Sequence, residues 1–437
     1  MKKRLLVISM PFRLGIGGFL RSYNVVPRLT RLFAESDYEL ELYIPVNAIR
    51  TFVSFLMSTK PENMSRERRD ILDELLARAI HEVYEVQRSS RYAFAINERL
   101  LEKNVEYNRR VILEESTLKS SLSLMLYMEE LRPFYIHFFE KRFINMVKHF
   151  VKTPLCAYSM HETADAITAL TLLSSKETKT TALLQSDLGE KIIHRTFNLN
   201  LFKNLSEKTL LRGILSVSPA PIMETPELRA LCNNLRVIIP GVAVEIELLK
   251  DVSRSKQDNA VIYYGRISRE KGIFDLLKAW SIVEKEVDAY LYLAGRFEDY
   301  KTKAKFNETI KKYKLKNVKY LGYLDRDKLF KIVSATSVLA YPSYRDSFSL
   351  TVLESLFIGL RVVAYRIPAL SFLYRQNPNV ELIPLGDFKK LALAIISNLN
   401  KPFEKDETTK KLLDKYSSWE KVAIEEYRKL SEVLKLR

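Results

Sequence analysis

Two short stretches of the chain combine charged side chains and small residues in patterns that could bind an anion. In the first, YYGRISREKGIFDLL (263–277), Arg266 follows an apolar run that ends at Gly265. Lys271 and Gly272 then precede a helical pattern. A helix N-terminus offers free N–H groups and a positive dipole end, here beside two cations. A solvated basic loop is the alternative, but this strand-to-helix position favours a phosphate or diphosphate site.

The second stretch, YRDSFSLTVLES (344–355), places two carboxylates around the start of a helix. Asp346 lies in the loop after another apolar run, and Glu354 falls within the helix that follows. A carboxylate at the position of Glu354 can accept two hydrogen bonds from a vicinal diol such as a ribose. The alternative is that the acids only compensate the helix dipole, which contributes at most ~1 kcal/mol.

The residues between these carboxylates supply backbone and hydroxyl groups. The N–H groups of Phe348, Ser349 and Leu350 could meet an anion or sugar hydroxyls. A hydroxyl from Ser347 or Ser349 is expected to cap the helix. The whole stretch therefore predicts a polar ligand site at a helix N-terminus.

Short apolar runs alternate with helical segments along most of the chain, which is typical of parallel sheets with crossover helices. In the first half the runs lie near residues 3–10, 38–46, 155–160, 181–187, 213–218 and 236–241. After the polar stretch 251–259 the pattern restarts with six further runs, spaced by about 20–28 residues. We therefore predict an α/β protein with two doubly wound, Rossmann-like domains that face a cleft.

The predicted domain limits follow from these patterns. An N-terminal domain covers 1–250 and contains a charged, glycine-poor helical insertion at about 47–153. A second domain covers 251–400, and the tail 401–437 forms a C-terminal helix that packs back on the first domain. Within the insertion, the Phe-rich helix 134–152 could lie at a membrane interface, although such faces are more often core.

Composition narrows the partners and the compartment. The 437 residues carry a net charge of +17, which favours anionic partners such as phosphates, nucleic acid or an anionic membrane surface. Two cysteines are too few for a disulfide framework, which favours a reducing compartment. No apolar run reaches the ~20 residues of a membrane span, and MKKRLLVISM is interpreted as a first strand. We expect a cytoplasmic protein that could lie peripherally on the cytosolic membrane face.

No metal site is expected. The sequence DRD (325–327) could suggest one, but Asp325 is better placed to cap a helix.

The order of GRISREKG, YLAGRF, VKYLGYL and PSYRDSFSLTVLESLFIGLRVVAY resembles the donor half of the family-four retaining glycosyltransferases of the GT-B fold. The GIGG loop (15–18), RVIIPGVAVE (236–245) and the tail SWEKVAIEEY (418–427) are also similar to that family. The resemblance covers about 1–46 and 150–437. It implies a glycosyltransferase of the hexosyltransferase type, which retains anomeric configuration and needs no cofactor or metal.

The resemblance also implies roles for individual residues. The donor diphosphate would be held by Arg266 and Lys271, the ribose by Glu354, and Asp346 would stand near the donor sugar. Gly17 and Gly18 would let the first glycine loop approach the donor phosphate or the acceptor. The base would be bordered by Arg296, Tyr323 and Leu324.

Three positions depart from the family pattern. Asp346 stands where the family has Glu, and the linker lacks an Asn before Gly241. Gln185 occupies the place of a family His near the sugar, and His161 could take that role or could be structural. These departures suggest an altered sugar or acceptor.

The implied substrates are a nucleotide sugar, with UDP or GDP as the nucleotide, and a glycan or lipid-linked saccharide as the acceptor. The leaving diphosphate would be stabilised by the two cations and the helix N-terminus. One alternative is a non-catalytic, glycosyltransferase-like binding or scaffolding subunit. A nucleic-acid-binding protein is unlikely on this sequence, because no known binding motif accompanies the basic charge.

Overall fold

The computed structural model describes residues 3–9, 17–44, 95–96, 156–174, 177–186, 199–208, 210–249 and 259–436, with isolated positions at 77, 81, 106, 188 and 197. The predicted insertion at 47–153 and its Phe-rich helix fall almost wholly outside these residues. The predicted domain boundary at 250/251 also lies outside them.

Two compact units make up the chain. Unit 1 consists of Met1–Val217, Pro221–Gly241 and Glu420–Arg437, and unit 2 consists of Ser218–Ala220 and Val242–Trp419.

Unit 1 is built on a seven-stranded parallel sheet. Its strands are β1 (Lys3–Ile8), β2 (Tyr38–Tyr43), β3 (Ala95–Ile96), β4 (Cys156–Ser159), β5 (Lys179–Leu184), β6 (Leu211–Ser216) and β7 (Leu235–Val237), in the order β3-β2-β1-β4-β5-β6-β7. The order reverses between β1 and β4, which defines the switch point where ligands of such sheets bind. The described helices of this part of the chain are α1 (Gly17–Ala34), α2 (Ala164–Leu173), α3 (Leu199–Glu207) and α4 (Ala220–Met223), followed by a 3₁₀ helix (Pro226–Asn234).

The C-terminal helix α12 (Trp419–Leu434) is tied into unit 1 by a buried ion pair. Glu426 on α12 pairs with Arg21 on α1, and it also accepts a hydrogen bond of 2.8 Å from the Tyr158 hydroxyl. Arg21 Nε donates to the Gly241 carbonyl at 2.7 Å. All of these side chains are buried, so removing one partner would leave an uncompensated charge.

Unit 2 is built on a six-stranded parallel sheet. Its strands are β8 (Ala260–Tyr264), β9 (Tyr290–Ala294), β10 (Val318–Gly322), β11 (Val338–Tyr341), β12 (Arg361–Tyr365) and β13 (Val380–Ile383), in the order β10-β9-β8-β11-β12-β13. The helices are α5 (Ile273–Glu286), α6 (Tyr300–Tyr313), α7 (Arg326–Ser334), α8 (Leu350–Ile358), α9 (Pro368–Tyr374), α10 (Phe388–Leu399) and α11 (Glu407–Lys415), with a 3₁₀ turn (Ile246–Leu248) before β8.

The core of unit 2 explains why these segments form strands and helices. β8, β11 and β12 are buried along their whole length, as expected of central parallel strands covered on both faces. The apolar face of α5 packs against the sheet with Trp280 at its centre. The predicted α/β class, with two doubly wound sheets, is confirmed.

Candidate functional site

The predicted anion site lies at the switch point of unit 2, where the strand order reverses between β8 and β11. The loops that follow these two strands contact each other directly. The Tyr344 N–H donates to the Glu270 carbonyl at 2.9 Å, and Lys271 Nζ lies 3.0 Å from Asp346 Oδ2. Lys271 Nζ also donates to the Arg345 carbonyl at 3.2 Å. Two residues 75 positions apart in the chain are thus brought together at the carboxyl ends of the strands.

Asp346 is held by four donors. Oδ2 accepts from Lys271 and from the Tyr341 hydroxyl, and Oδ1 accepts from the N–H groups of Phe348 and Ser349 at 3.2 and 3.1 Å. Burial alone would raise the pKa of this carboxyl, but Lys271 and the other donors outweigh it, and the pKa lies below its usual value. Asp346 is therefore ionised at neutral pH.

Lys271 stays protonated because Asp346 stabilises its positive charge. Burial on its own would lower the pKa of the Lys271 ammonium, whereas Asp346 and the neighbouring tyrosines raise it, and the net shift is upward. Burial and the nearby carboxylate raise the pKa of Tyr341 to about 12, so its hydroxyl remains a donor. The centre of the site is a charged pair of fixed protonation state.

The start of α8 differs from the predicted cap. Ser349 occupies the N-cap position as expected, but it makes no side-chain cap hydrogen bond. Its φ of +69° and ψ of 70° place it in the left-handed region, whereas a capping serine needs an extended backbone. Asp346 takes over part of the capping by accepting the N–H groups of Phe348 and Ser349. The capping prediction was wrong for this reason.

Glu354 is buried and paired with a residue that the sequence did not single out. Arg326 Nη2 donates to Glu354 Oε1 at 2.5 Å, and Arg326 Nε lies 3.3 Å from Glu245 Oε2. Burial raises the pKa of Glu354, and Arg326 lowers it only in part, so the pKa stays above its usual value. The carboxylate that was predicted to bind a ribose is thus paired with an arginine.

Removing Arg326 is expected to destabilise unit 2 in a pH-dependent way. In Arg326→Ala the pKa of Glu354 should rise further, because its main opposing charge is lost. A carboxyl whose folded-state pKa is raised loses its stabilising contribution as pH rises from the unfolded value to the folded one. We expect a loss of about 3 kcal/mol at pH about 8 and a smaller loss at pH about 5.

Urea unfolding followed by tryptophan fluorescence measures this effect, because both tryptophans, Trp280 and Trp419, belong to unit 2. Arg428→Ala is the control, since Arg428 forms an exposed pair with Glu425 at 2.7 Å. It should change the free energy of unfolding by less than about 0.5 kcal/mol at either pH. A pH-independent loss in Arg326→Ala would contradict the account.

Arg266 follows β8 as predicted, but its side chain points to a different partner from that of Lys271. Arg266 Nη1 lies 3.0 Å from Glu298 Oε1, and the Arg266 side chain is 41% exposed. The backbone at Arg266 is fixed because its carbonyl accepts the Tyr263 hydroxyl. An exposed pair of this kind contributes little to stability, so Arg266 can exchange Glu298 for another anion at little cost.

The residues predicted to border a base lie at the ends of β9 and β10. The Arg296 guanidinium lies 4.3 Å from the centroid of the Tyr323 ring, a cation–π contact. Tyr323 is 49% exposed, and Leu324 beside it is partly buried. The Arg296 carbonyl accepts the Ile267 N–H at 2.7 Å, which links this edge to the loop after β8. A flat aromatic surface is therefore presented near the anion site.

A second set of predicted residues lies in unit 1, around the ends of β4 and β5. α1 begins at Gly17, and a Cβ at Gly18 would lie 3.4 Å from Gln185 Cδ. His161 is 5% exposed, and both of its ring nitrogens have partners. Nε2 lies 2.8 Å from Ser22 Oγ and Nδ1 lies 3.1 Å from Gln185 Nε2. This geometry favours the structural role that the sequence left open for His161.

Sequence reasoning did not single out four residues that contact the predicted site residues. Tyr341 ends β11 and was assigned no role from the sequence. Arg326 lies within the DRD triplet, which was interpreted only through its two aspartates. Glu298 and Ser22 gave no signal in the sequence. α7 begins at Arg326 as predicted, but Asp325 makes no side-chain cap hydrogen bond.

Among the described residues, no cluster of three or more His, Cys, Asp and Glu side chains is arranged to hold a metal ion. None of the helices within the described ranges is both long and apolar enough to cross a membrane.

Comparison with known proteins finds a family match within unit 2. Residues 245–415 match the model of the family described as glycosyl transferases group 1. The uncharacterized glycosyltransferase YqgM of Bacillus subtilis (strain 168) is 30% identical over 128 residues, which is 29% of this chain and 35% of that protein. The chain thus matches about a third of the length of this curated relative.

Solved structures resemble the whole chain at lower identity. A glycosyltransferase from Rickettsia africae ESF-5 has a TM-score of 0.60 at 15% identity, covering 100% of both chains. Anabaena Alr3699/HepE, solved in complex with UDP, has a TM-score of 0.59 at 14% identity, covering 99% of this chain and 100% of that chain.

The structure and these comparisons define the class. The fold is that of the GT-B glycosyltransferases, as the sequence predicted. Within this fold, residues 245–415, less than half of the chain, match the model of the family glycosyl transferases group 1.

Proposed function

We propose that this protein is a glycosyltransferase that moves a hexose from a nucleoside-diphosphate sugar to a glycan or lipid-linked acceptor with retention of anomeric configuration. The observation on which this rests is the Lys271–Asp346 pair at 3.0 Å across the switch point of unit 2. It places a fixed cation and a fixed carboxylate beside the N-terminus of α8. The cation can bind a diphosphate, and the carboxylate can accept a hydrogen bond from a sugar hydroxyl.

In this proposal each end of the donor has its own residues. Lys271 and Arg266 bind the diphosphate together with the helix N-termini, and Asp346 accepts from the donor sugar. Glu354 accepts from the ribose hydroxyls. The base lies against Arg296, Tyr323 and Leu324, where a ring can stack on the tyrosine or the guanidinium. The structure of Alr3699/HepE in complex with UDP supports UDP as the first nucleotide to test, with GDP second.

The proposed chemistry breaks the bond between the anomeric carbon and the diphosphate oxygen. Negative charge grows on the leaving diphosphate, where Lys271 and Arg266 are most effective because they bind the leaving group more tightly as the bond breaks. The acceptor hydroxyl attacks the anomeric carbon on the same face, and its proton passes to the leaving phosphate oxygen. No protein base and no metal ion is required by this scheme.

Unit 1 is proposed to hold the acceptor. Gly17 and Gly18 open α1 at the switch point of this unit, which leaves room for a ligand backbone or hydroxyl. We propose that His161 positions Gln185 and Ser22 rather than reacting itself, because both ring nitrogens are engaged. The cytoplasmic, peripheral location remains part of the proposal, and so do the domain limits 1–250, 251–400 and 401–437.

A binding or scaffolding subunit is the second candidate. The departures at Asp346 and Gln185 favour it, whereas the ordered pair of Lys271 with Asp346 favours an enzyme. Turnover of any nucleotide sugar would exclude the scaffold.

Nucleotide binding by calorimetry tests the donor site. We expect one of UDP, GDP and ADP to bind, and Arg266→Ala to weaken that diphosphate by about 10- to 100-fold, because a charge-assisted bond contributes about 1.5–3 kcal/mol. Arg236→Ala is the matched control: Arg236 lies 3.4 Å from Glu432, its side chain is 43% exposed, and it belongs to unit 1 rather than unit 2. Binding that is equal in wild type and Arg266→Ala would remove Arg266 from the site. No binding of any of the three would refute the proposed function.

A further inference from the structure

Ser349 has two unusual properties. It is 3% exposed, and among the described residues its hydroxyl has no hydrogen-bond partner. Its backbone is also left-handed, with φ of +69°, a conformation that residues with a side chain rarely adopt. Ser349 lies beside the Tyr341 hydroxyl and lowers its pKa, but no bond of hydrogen-bonding geometry joins the two, and the Tyr341 hydroxyl donates to Asp346. A buried, unpartnered hydroxyl on a strained backbone is a feature that function, rather than stability, explains.

The left-handed backbone of Ser349 explains why its hydroxyl does not cap the helix. In an extended conformation, a serine at the N-cap accepts a hydrogen bond from its own helix. The left-handed conformation of Ser349 prevents this, and no cap bond forms. The Ser349 hydroxyl therefore does not cap the N–H groups in the first turn of α8, a helix of nine residues, and it lies beside them.

We propose that the Ser349 hydroxyl donates a hydrogen bond to a phosphate oxygen of the bound nucleoside diphosphate and so helps to determine donor affinity. This inference rests on the proposed function and extends it from the backbone of Ser349, which the sequence had assigned, to its side chain. Phosphate is favoured over a sugar hydroxyl because the positive end of α8 and the Lys271 ammonium both lie at this place. The proposal concerns the hydroxyl and not the backbone N–H of Ser349, because that N–H already donates to Asp346 Oδ1.

Two substitutions separate the hydroxyl from the backbone. Ser349→Ala removes the hydroxyl and keeps a side chain in the left-handed conformation. Ser349→Gly removes the hydroxyl and relieves the strain, because glycine adopts this conformation readily. The control is Ser355→Ala on the same helix, since the Ser355 hydroxyl already has a partner in Tyr264 at 3.0 Å.

The experiment measures UDP, UDP-glucose and uridine binding by calorimetry, and the midpoint of thermal unfolding, for the full chain and the three variants. We expect UDP to bind about 10-fold more weakly to both Ser349 variants, as for loss of one bond to a charged group. Uridine binding should not change. Ser349→Gly should unfold at a midpoint about 2 °C higher than wild type. The midpoint of Ser349→Ala should be no lower than that of wild type. Ser355→Ala should unfold at a lower midpoint but bind UDP with unchanged affinity.

Each other result overturns the proposal in a distinct way. Unchanged UDP affinity in both Ser349 variants means that the hydroxyl is not a ligand contact. Weak binding in Ser349→Ala with wild-type binding in Ser349→Gly assigns the effect to the backbone. If UDP is unaffected but UDP-glucose binds more weakly, the hydroxyl meets the sugar and not the phosphate. Failure of wild type to bind UDP, GDP or ADP refutes the proposed function itself.

Discussion

Lys271→Ala is expected to lose donor turnover by about 10³-fold, the size of effect seen when a group that stabilises developing charge is removed. Lys271 is the cation of the switch-point pair, and among the described residues it is the one charged group paired with Asp346. Removing the ammonium leaves the diphosphate without its central counter-charge. It also raises the pKa of Asp346, because burial is then opposed only by hydrogen bonds.

Lys278→Ala is the matched control for this prediction. Lys278 lies on α5, seven residues beyond Lys271, and pairs with Asp275 at 3.1 Å, almost the same distance as the site pair. Both variants remove one positive charge from the same part of unit 2. Turnover and nucleotide affinity should fall only in Lys271→Ala. Equal losses in the two variants would mean that net charge, and not the position of Lys271, determines binding.

Gly272→Ala is expected to destabilise unit 2 by about 4 kcal/mol or more, among the largest effects of a single substitution. Gly272 is the N-cap of α5 and has φ of +72°, and a Cβ there would lie 1.9 Å from the Pro342 carbonyl oxygen. That oxygen belongs to the loop after β11, so the two loops of the site could not approach each other. Urea unfolding followed by tryptophan fluorescence would show a lower midpoint.

Gly322→Ala separates backbone strain from the steric clash. Gly322 has the same φ of +72°, but a Cβ there would meet no atom within 4 Å. It should lose only the ~1–2 kcal/mol of a left-handed residue with a side chain. The difference between the two variants measures the clash with Pro342. If Gly272→Ala were no worse than Gly322→Ala, the loops after β8 and β11 would not be as close as the structure shows.

The parts of this fold that the sequence predicted are those that depend on local pattern. Central strands such as β8 and β12 must be apolar throughout because helices cover both faces, and a run of this kind is visible in the chain. The loops after such strands meet at a switch point by topology alone. This is why Lys271 and Asp346 could be proposed as one site before their distance was known.

The parts that the sequence did not predict depend on contacts between distant residues or on backbone geometry. Arg326 reaches Glu354 only because α7 packs beside α8. The left-handed conformation of Ser349 has no sequence signal, since left-handed positions are expected to be glycine. His161 offered two roles, and only the positions of Ser22 and Gln185 around its ring distinguish them.

The most direct test of the central claim is a crystal structure of the protein with UDP. We expect the diphosphate at the switch point of unit 2, within hydrogen-bond distance of Lys271 Nζ and at the N-terminus of α8, with the ribose at Glu354. A diphosphate bound elsewhere in the molecule, with Lys271 still contacting Asp346 and no ligand, would contradict the proposed donor site.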